Sequence, residues 1–335
     1  MSEPLQHYVP KFMLRRFSAG ARELVYAFDK HEDKAFAFST SKKSKLGVAA
    51  ERAMYDFEFQ GVPMTLEPTL SHLESRAAEA SAKIIAALAV PPDWHDVKTI
   101  MACFVAVQLV RTKAMLATSD DMFGRMEAFF RANGAPEEFF QPDPEVGGKE
   151  NARKANFAAM ISTAPDDWGP ILLKKVWHLV RTTQDVPFLM GDHPVVRFND
   201  PSAQGEGKLG LASVGIQIQF PVSPTLAVSL TCPSYMETMI DGIERIDRLL
   251  AARRGDVLYL QAQRKEVGAV IDVFLKGGVL DLAPENVEHF NSLQVLESER
   301  YVFSSKNDFS MVREMIQADP SARRGTRMVD ALERF

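Results

Sequence analysis

Gly215-Ile216-Gln217-Ile218-Gln219-Phe220-Pro221-Val222-Ser223-Pro224, followed one residue later by Leu226-Ala227-Val228-Ser229-Leu230, decides the fold class. Alternation puts Gln217 and Gln219 on one face and isoleucine on the other, the pattern of a half-buried strand, and the next run reads as its neighbour across a short turn. Working outward, Leu172–Val180, Pro187–Met190 and Val195–Phe198 read as further strands, so the second half carries most of a sheet. The first half reads differently. After a hairpin of Leu24–Phe28 and Ala35–Phe38 around the polar turn Asp29-Lys30-His31-Glu32-Asp33, and a short strand at Tyr55–Phe59, the period becomes helical.

From Thr65, Leu66, Leu70, Leu73, Ala77, Ala80, Ile84 and Leu88 recur every three or four residues until Pro91-Pro92, and Pro68 fits because it lies in the first turn. A second helix is expected over Trp94–Ala117, apolar enough to be buried on most sides. Amphipathic segments follow at Met122–Ala132 and Asn151–Ser162, separated by a Pro-, Gly- and acid-rich loop at 134–148. Farther on, Asp241–Arg253 reads as a charged helix, Val257–Leu260 as a short strand, Glu285–Leu296 as a helix and Arg300–Ser304 as a strand. The tail from Arg323 to Phe335 reads as a docked helix. The expected class is α+β: an N-terminal hairpin and helical region packed with a C-terminal mixed, mainly antiparallel sheet. The expected organisation is a single domain over 1–335, divisible into a mainly helical part at 1–133 and a sheet-rich part at 149–335.

Composition narrows the function classes. With 335 residues, 46% hydrophobic and 25% charged, the chain has the make-up of a globular protein. A net charge of −5 argues against nonspecific coating of nucleic acid, which needs many Lys and Arg contacts to phosphate. Cys103 and Cys232 are the only cysteines, too few for a disulfide framework or a cysteine-based zinc site. No stretch approaches the roughly 18 uninterrupted apolar residues of a membrane helix, and no secretory leader opens the chain, so the expected location is the cytoplasm. Partners are not readable; oligomerisation is left open.

Four residues stand out as a candidate site. His7 precedes Pro10, and the helix from Lys11 points its free amides back toward it, which suits a neutral imidazole acting as base or metal ligand. Arg111 and Gln108 lie in the apolar helix, where a guanidinium needs a carboxylate, and Glu67 or Glu74, two turns apart on the preceding helix, is the candidate partner. Asp192, in the turn Gly191-Asp192-His193-Pro194, either bonds backbone amides or holds a metal, orients His7 or acts as a base. Walker A, HExxH, GxSxG and kinase signatures are missing.

His7-Tyr8-Val9-Pro10 with Phe12, Leu14 and Phe17, Leu66-Glu67 with Leu73-Glu74, Gln108-x-x-Arg111-Thr112, Phe188 with Asp192-x-Pro194-Val195, Phe220 to Pro224, and Asn291 leading to Arg300–Ser304 together resemble the bacterial family named domain of unknown function 4238. The resemblance implies one domain type with an HxxP signature and carries no agreed activity. Two departures are Gln6, where members commonly have a second His, and His193, where they have Asn. The leading expectation is a hydrolase, phosphodiester-cleaving and part of bacterial defence. In it Asp192 and Glu67 hold a divalent metal ion or position water, His7 accepts the proton and Arg111 neutralises developing charge. The alternative is a non-catalytic interaction or sensor module whose polar residues form a buried network. A third is nucleic-acid recognition through Arg15, Arg16 and the Lys42, Lys43 and Lys45 loop.

Overall fold

The computed structural model describes residues 4–20, 23–40, 47–141, 147–200 and 208–326. The lysine loop at 42–45, part of the loop at 134–148 and the tail beyond 326 lie outside them. The class is α+β as expected.

The chain opens with β1 (Leu5–His7), α1 (Lys11–Arg16), the hairpin β2 (Leu24–Asp29) and β3 (Lys34–Ser39), and the short strands β4 (Ala50–Arg52), β5 (Asp56–Phe59) and β6 (Val62–Thr65). Four helices follow: α2 (Glu67–Ala87), α3 (His95–Val110), α4 (Lys113–Ala132) and α5 (Lys149–Leu173). The second half runs β7 (Val176–Arg181), β8 (Met190–Gly191), β9 (Val196–Phe198), β10 (Gln217–Ser223), β11 (Leu226–Thr231), α6 (Pro233–Ala251), α7 (Val257–Lys276), β12 (Val279–Asp281), α8 (Pro284–Glu297), β13 (Tyr301–Ser304) and α9 (Ser310–Ala318).

A five-stranded sheet has the order β12-β7-β11-β10-β9 and is antiparallel except for the β12–β7 pair. A four-stranded antiparallel sheet, β3-β2-β13-β8, is built from both ends of the chain. β1 pairs with β4 and β5 with β6. The largest apolar cluster draws on side chains from Tyr8 to Phe303, with α3 at its centre. Phe104 of α3 touches Phe12 of α1 at 5.5 Å and Phe220 of β10 at 6.3 Å between ring centroids, so α1 is wedged between helix and sheet.

Several boundaries differ from the sequence reading. The helix expected over Trp94–Ala117 is two helices, broken at Arg111-Thr112, where the Thr112 hydroxyl accepts from the Met115 amide and caps α4. The segment read as a strand at Val257–Leu260 opens α7: the Asp256 carboxylate accepts from the Leu258 and Tyr259 amides, and left-handed Gly277 ends the helix. α5 runs through Pro165 and Pro170 and takes in the start of the strand expected at Leu172. Arg16 is committed to Ser81 Oγ at 2.7 Å and the Ala78 carbonyl at 2.9 Å, which ties α1 to α2 and leaves only Arg15 of that pair exposed.

No single helix among the described residues is long and apolar enough to cross a membrane. α4 leaves Met122, Phe123, Met126 and Phe129 exposed on one side.

Gly277 and Gly61 both have left-handed backbones, but a Cβ on Gly277 would lie 1.9 Å from the Val90 carbonyl oxygen, while one on Gly61 meets nothing within 4 Å. Gly61→Ala is therefore expected to cost about 1 kcal/mol, the conformational share alone. Gly277→Ala should cost roughly 1–3 kcal/mol more for the collision. Urea unfolding of the two variants measures the difference, and equal losses would refute the close approach of α7's end to Val90.

Candidate functional site

The break between α3 and α4 organises the polar interior. α3 is apolar on nearly every side, so its last turn reaches the core carrying Gln108 and Arg111 with it. Gln108 Nε2 donates to the Tyr8 carbonyl at 2.9 Å, and Arg111 Nη2 donates to the His7 carbonyl and to Glu74 Oε1, both at 2.7 Å. Gln108 of α3 and Arg111 at its C-cap thus hold the backbone where β1 leads into α1. The Tyr55 hydroxyl donates to the Arg111 carbonyl at 3.0 Å, with the guanidinium 5.9 Å from the ring centroid. Arg111 is 1% exposed. Burial works against its charge, but Tyr55, Glu74 and Glu67 raise its pKa on balance.

The partner of Arg111 is Glu74, the second of the two candidates. Glu67 lies nearby at the first turn of α2, half-buried, its carboxyl pushed upward by burial and by the Glu74 charge while Arg111 and Lys11 pull the other way. Gln6 ties this corner to the β5 hairpin: its Nε2 donates to Asp56 Oδ1 at 2.6 Å and its Oε1 accepts from the Tyr55 amide at 2.7 Å. Burial also holds the Tyr55 hydroxyl well above the ordinary phenol range.

Asp192 sits in a different setting. Its Oδ1 accepts from the Glu299 amide at 2.6 Å, and its Oδ2 accepts from the Arg300 and Tyr301 amides at 3.0 and 3.1 Å. Burial at 1% exposure pushes its carboxyl up to about 6, against the downward pull of Lys30 and those three amides. Of the N-terminal side chains, Tyr8 lies within electrostatic reach of Asp192, and its hydroxyl is raised by burial first and by that charge second. His193 Nδ1 shares a hydrogen bond of 2.6 Å with Thr112 Oγ1. Burial, helped by Arg197, pulls the His193 imidazole down to about 3, so it is neutral. Gly191 precedes the turn because a Cβ there would lie 2.6 Å from the Gln294 carbonyl oxygen.

The corner Arg111-Thr112 thus links the candidates in two groups. Arg111 gathers the His7 backbone with Glu74 and the nearby Glu67, and Thr112 holds the Asp192-His193 turn. His7 is 9% exposed at the end of β1. Among the described residues no three His, Cys, Asp or Glu side chains are grouped as metal ligands. Asp192 accepts three backbone amides in a set of contacts separate from that of Glu67, which does not favour the metal role given to Asp192 and Glu67. Tyr55 and Lys30 carry no local pattern that marks them in the sequence, and Gln6 and Thr112 enter there only through the family resemblance, with no role of their own. The spacing Gly205-x-Gly207-x-x-Gly210 matches a dinucleotide-binding pattern, but it lies between β9 and β10 and leads into a strand, not a helix.

The protein of unknown function family DUF4238 matches residues 5–308 of the chain. The chain belongs to that family. The match takes in Glu67 and Glu74 of α2, the α3–α4 corner, the Asp192 turn and β13. No curated protein and no solved structure matches the DUF4238 chain.

Two variants test the electrostatics. Glu74→Gln leaves a buried guanidinium without its counter-charge and is expected to cost on the order of 3 kcal/mol, read from urea unfolding. The acid limb of stability should follow the histidines: His193 is held down to about 3 and His178, by burial, to about 4. Between these values and about 6.5 the unfolded chain binds protons that the native state refuses, so stability falls as pH falls, by about 1.4 kcal/mol per unit for each group. Asp192, raised in the native state, gains stability below about 6 and offsets one of them. His193→Gln should flatten the profile between pH 4 and 6; an unchanged slope would show that His193 is not the buried neutral group.

Proposed function

We propose that the Glu67–Glu74–Arg111 corner is the reaction centre of a hydrolase that works by acid–base chemistry. The observation that carries this reading is the unlike setting of two carboxylates on one helix: Glu74 is ion-paired to a buried guanidinium, while half-buried Glu67 is pushed toward its protonated form. Paired acids whose surroundings drive them apart are the usual means of keeping a proton donor near neutral pH.

In this scheme the oxygen of a water molecule attacks the electrophilic carbon as the bond to the leaving group breaks. The Glu67 proton goes to the leaving group, and the proton of water goes to His7, whose carbonyl Arg111 holds. The Arg111 Nε–H is buried and has no hydrogen-bond partner among the described residues, so a substrate that opens the corner would supply its acceptor as negative charge develops. Asp192 frames the site and does not react. Glu67, Glu74 and Asp56 outnumber Arg111 and Lys11 around this corner. A neutral or cationic substrate therefore suits it better than a phosphodiester, and this weighs against the nuclease and defence roles considered from the sequence.

A second reading, the interaction or sensor module, is favoured by the near-complete burial of Arg111, Asp192 and His193. The two part on Glu67→Gln. With a panel of neutral chromogenic esters, amides and glycosides, the hydrolase reading expects turnover by the wild-type protein and a loss of about 100-fold or more in the variant at unchanged melting temperature. Turnover should also decline at high pH as Glu67 ionises, later than an ordinary glutamate would. No turnover anywhere on the panel would decide for the module, while full activity in the variant would remove Glu67 as the proton donor and overturn this scheme.

A further inference from the structure

Among the long helices α6 is the most one-sided and the least buried. Met236, Met239, Ile243, Ile246 and Leu250 form an apolar stripe at spacings of three and four, yet no side chain of this 19-residue helix is buried. It packs on α7, in which only Leu260 and Phe274 are buried. α6 follows β11 and α7 precedes β12, the strands on either side of β7, and Phe274 stacks on His178 of β7 at 4.4 Å. The base of this helical hairpin is therefore at the sheet, and its connection at 252–256 lies about 28 Å away along the helices. Bare apolar side chains gather at both ends. Val257, Leu258 and Tyr259 stand at the connection, Leu258 being 79% exposed, and Leu275 is exposed at the base. Exposed Val214 joins it there, two residues before the carbonyl that accepts the Cys232 amide at 2.9 Å.

Between the two ends runs a charged row. The helical spacing of Glu237, Asp241, Glu244, Arg245 and Arg248 puts them on one flank of α6, and all five are exposed. Acids fill the half nearer the sheet and bases the half beyond. Glu237, Asp241 and Arg245 have no side-chain partner among the described residues, and Glu244 comes no closer to Arg248 than 3.7 Å.

We propose that the α6–α7 hairpin is a dimerisation arm, and that two copies of this chain pack antiparallel along α6 into a four-helix bundle. A lone hairpin buries only the stripe its two helices share, and a second hairpin closes the core. A two-fold axis brings like flank to like flank. With that axis between residues 244 and 245, Glu244 of one copy faces Arg245 of the other and Asp241 faces Arg248, each pair occurring twice. The same arrangement lays the apolar connection of each arm beside the apolar base of its mate. Two such helices side by side offer a footprint of roughly 28 Å by 20 Å, which with its corrugation reaches the scale of a standard interface, about 800 Å2 per partner. Three acids beside the stripe do not suit an anionic lipid surface. The inference is independent of the hydrolase reading, since no residue of the arm belongs to the α2–α3 corner.

Sedimentation equilibrium of the full-length protein is expected to give twice the mass of one chain. Asp241→Arg and Arg248→Asp each set like charges across the axis and should weaken the dimer about ten-fold or more, while the double variant exchanges the charges and restores it. Leu258→Glu at the connection should weaken it too. All three sites are exposed, so each variant should keep the wild-type circular dichroism and melting temperature of the fold at equal dissociation. A protein that stays monomeric up to about 100 μM would overturn the proposal. So would a dimer indifferent to the single reversals and to Leu258→Glu, or one that the double variant fails to restore. A monomer that instead floats with vesicles of phosphatidylserine and phosphatidylcholine would assign the arm to a membrane, against the proposal.

Discussion

Two buried charges of opposite sign hold one stretch of backbone, and much of the fold is assembled around it. The Lys30 ammonium donates to the carbonyls of Val295, Ser298 and Ala322 at 2.8, 2.5 and 2.8 Å. Asp192 accepts from the amides of Glu299, Arg300 and Tyr301. The chain between α8 and β13 therefore has its carbonyls answered by a cation and its next amides by an anion. Buried backbone groups need partners, and a segment leaving a helix cannot find them all in its own ladder. Each charge in turn needs several dipoles and an opposite charge to remain buried, and the attraction of Lys30 lowers the Asp192 carboxyl against burial.

This arrangement sets the order of the four-stranded sheet. Lys30 follows β2, Asp192 follows β8, and β13 lies between those two strands. Arg300 at the start of β13 adds a second clamp, its Nη2 2.7 Å from Asp29 Oδ2. From the Asp192 side the frame continues through His193 to Thr112, and from there along one residue of backbone to Arg111, which fixes the His7 carbonyl and Glu74. Interior polar groups are thereby linked in sequence from β2 to α2, with the Arg111 Nε–H and Gln108 Oε1 left over at the corner. The half-buried Glu67 lies at the outer end of that chain of contacts, where burial is incomplete and a proton can exchange.

What could be read from the sequence follows from how local each cause is. The β2–β3 hairpin, α2 and the β10–β11 pair rest on periodicity and turn residues within a short window, and they were legible. The α3–α4 break was not, because Arg111-Thr112-Lys113 has no helix breaker, and Thr112 caps only because α4 takes a new direction set by packing. Apolar Val257-Leu258-Tyr259-Leu260 suggested a strand, yet Asp256 before it and Gly277 after it are the start and stop signals of a helix. The need of Arg111 for a carboxylate followed from its apolar surroundings, and the choice of Glu74 depends on helix rotation, which spacing does not fix. Lys30 was unreadable: within Asp29-Lys30-His31-Glu32-Asp33 it looks like a solvated turn residue, and its burial is imposed by segments 265 or more positions away.

The family match ends at residue 308, yet the third carbonyl on Lys30 comes from Ala322. α9 and the turn after it cover that ammonium: Arg323 donates to the Lys30 carbonyl at 2.8 Å and to Asp33 at 2.9 Å, and the Gly325 amide donates to Glu299 at 3.2 Å. The residues that carry the charges lie inside the matched region, while part of what keeps water from them lies outside it. Exposing an ammonium weakens its attraction to a nearby carboxylate by raising the local dielectric, so the segment after 308 influences Asp192 without touching it. Through Asp192 the same influence reaches the turn that holds His193 against Thr112. The C-terminal segment is therefore part of the electrostatic frame of the α3–α4 corner, although it contributes none of the corner's side chains.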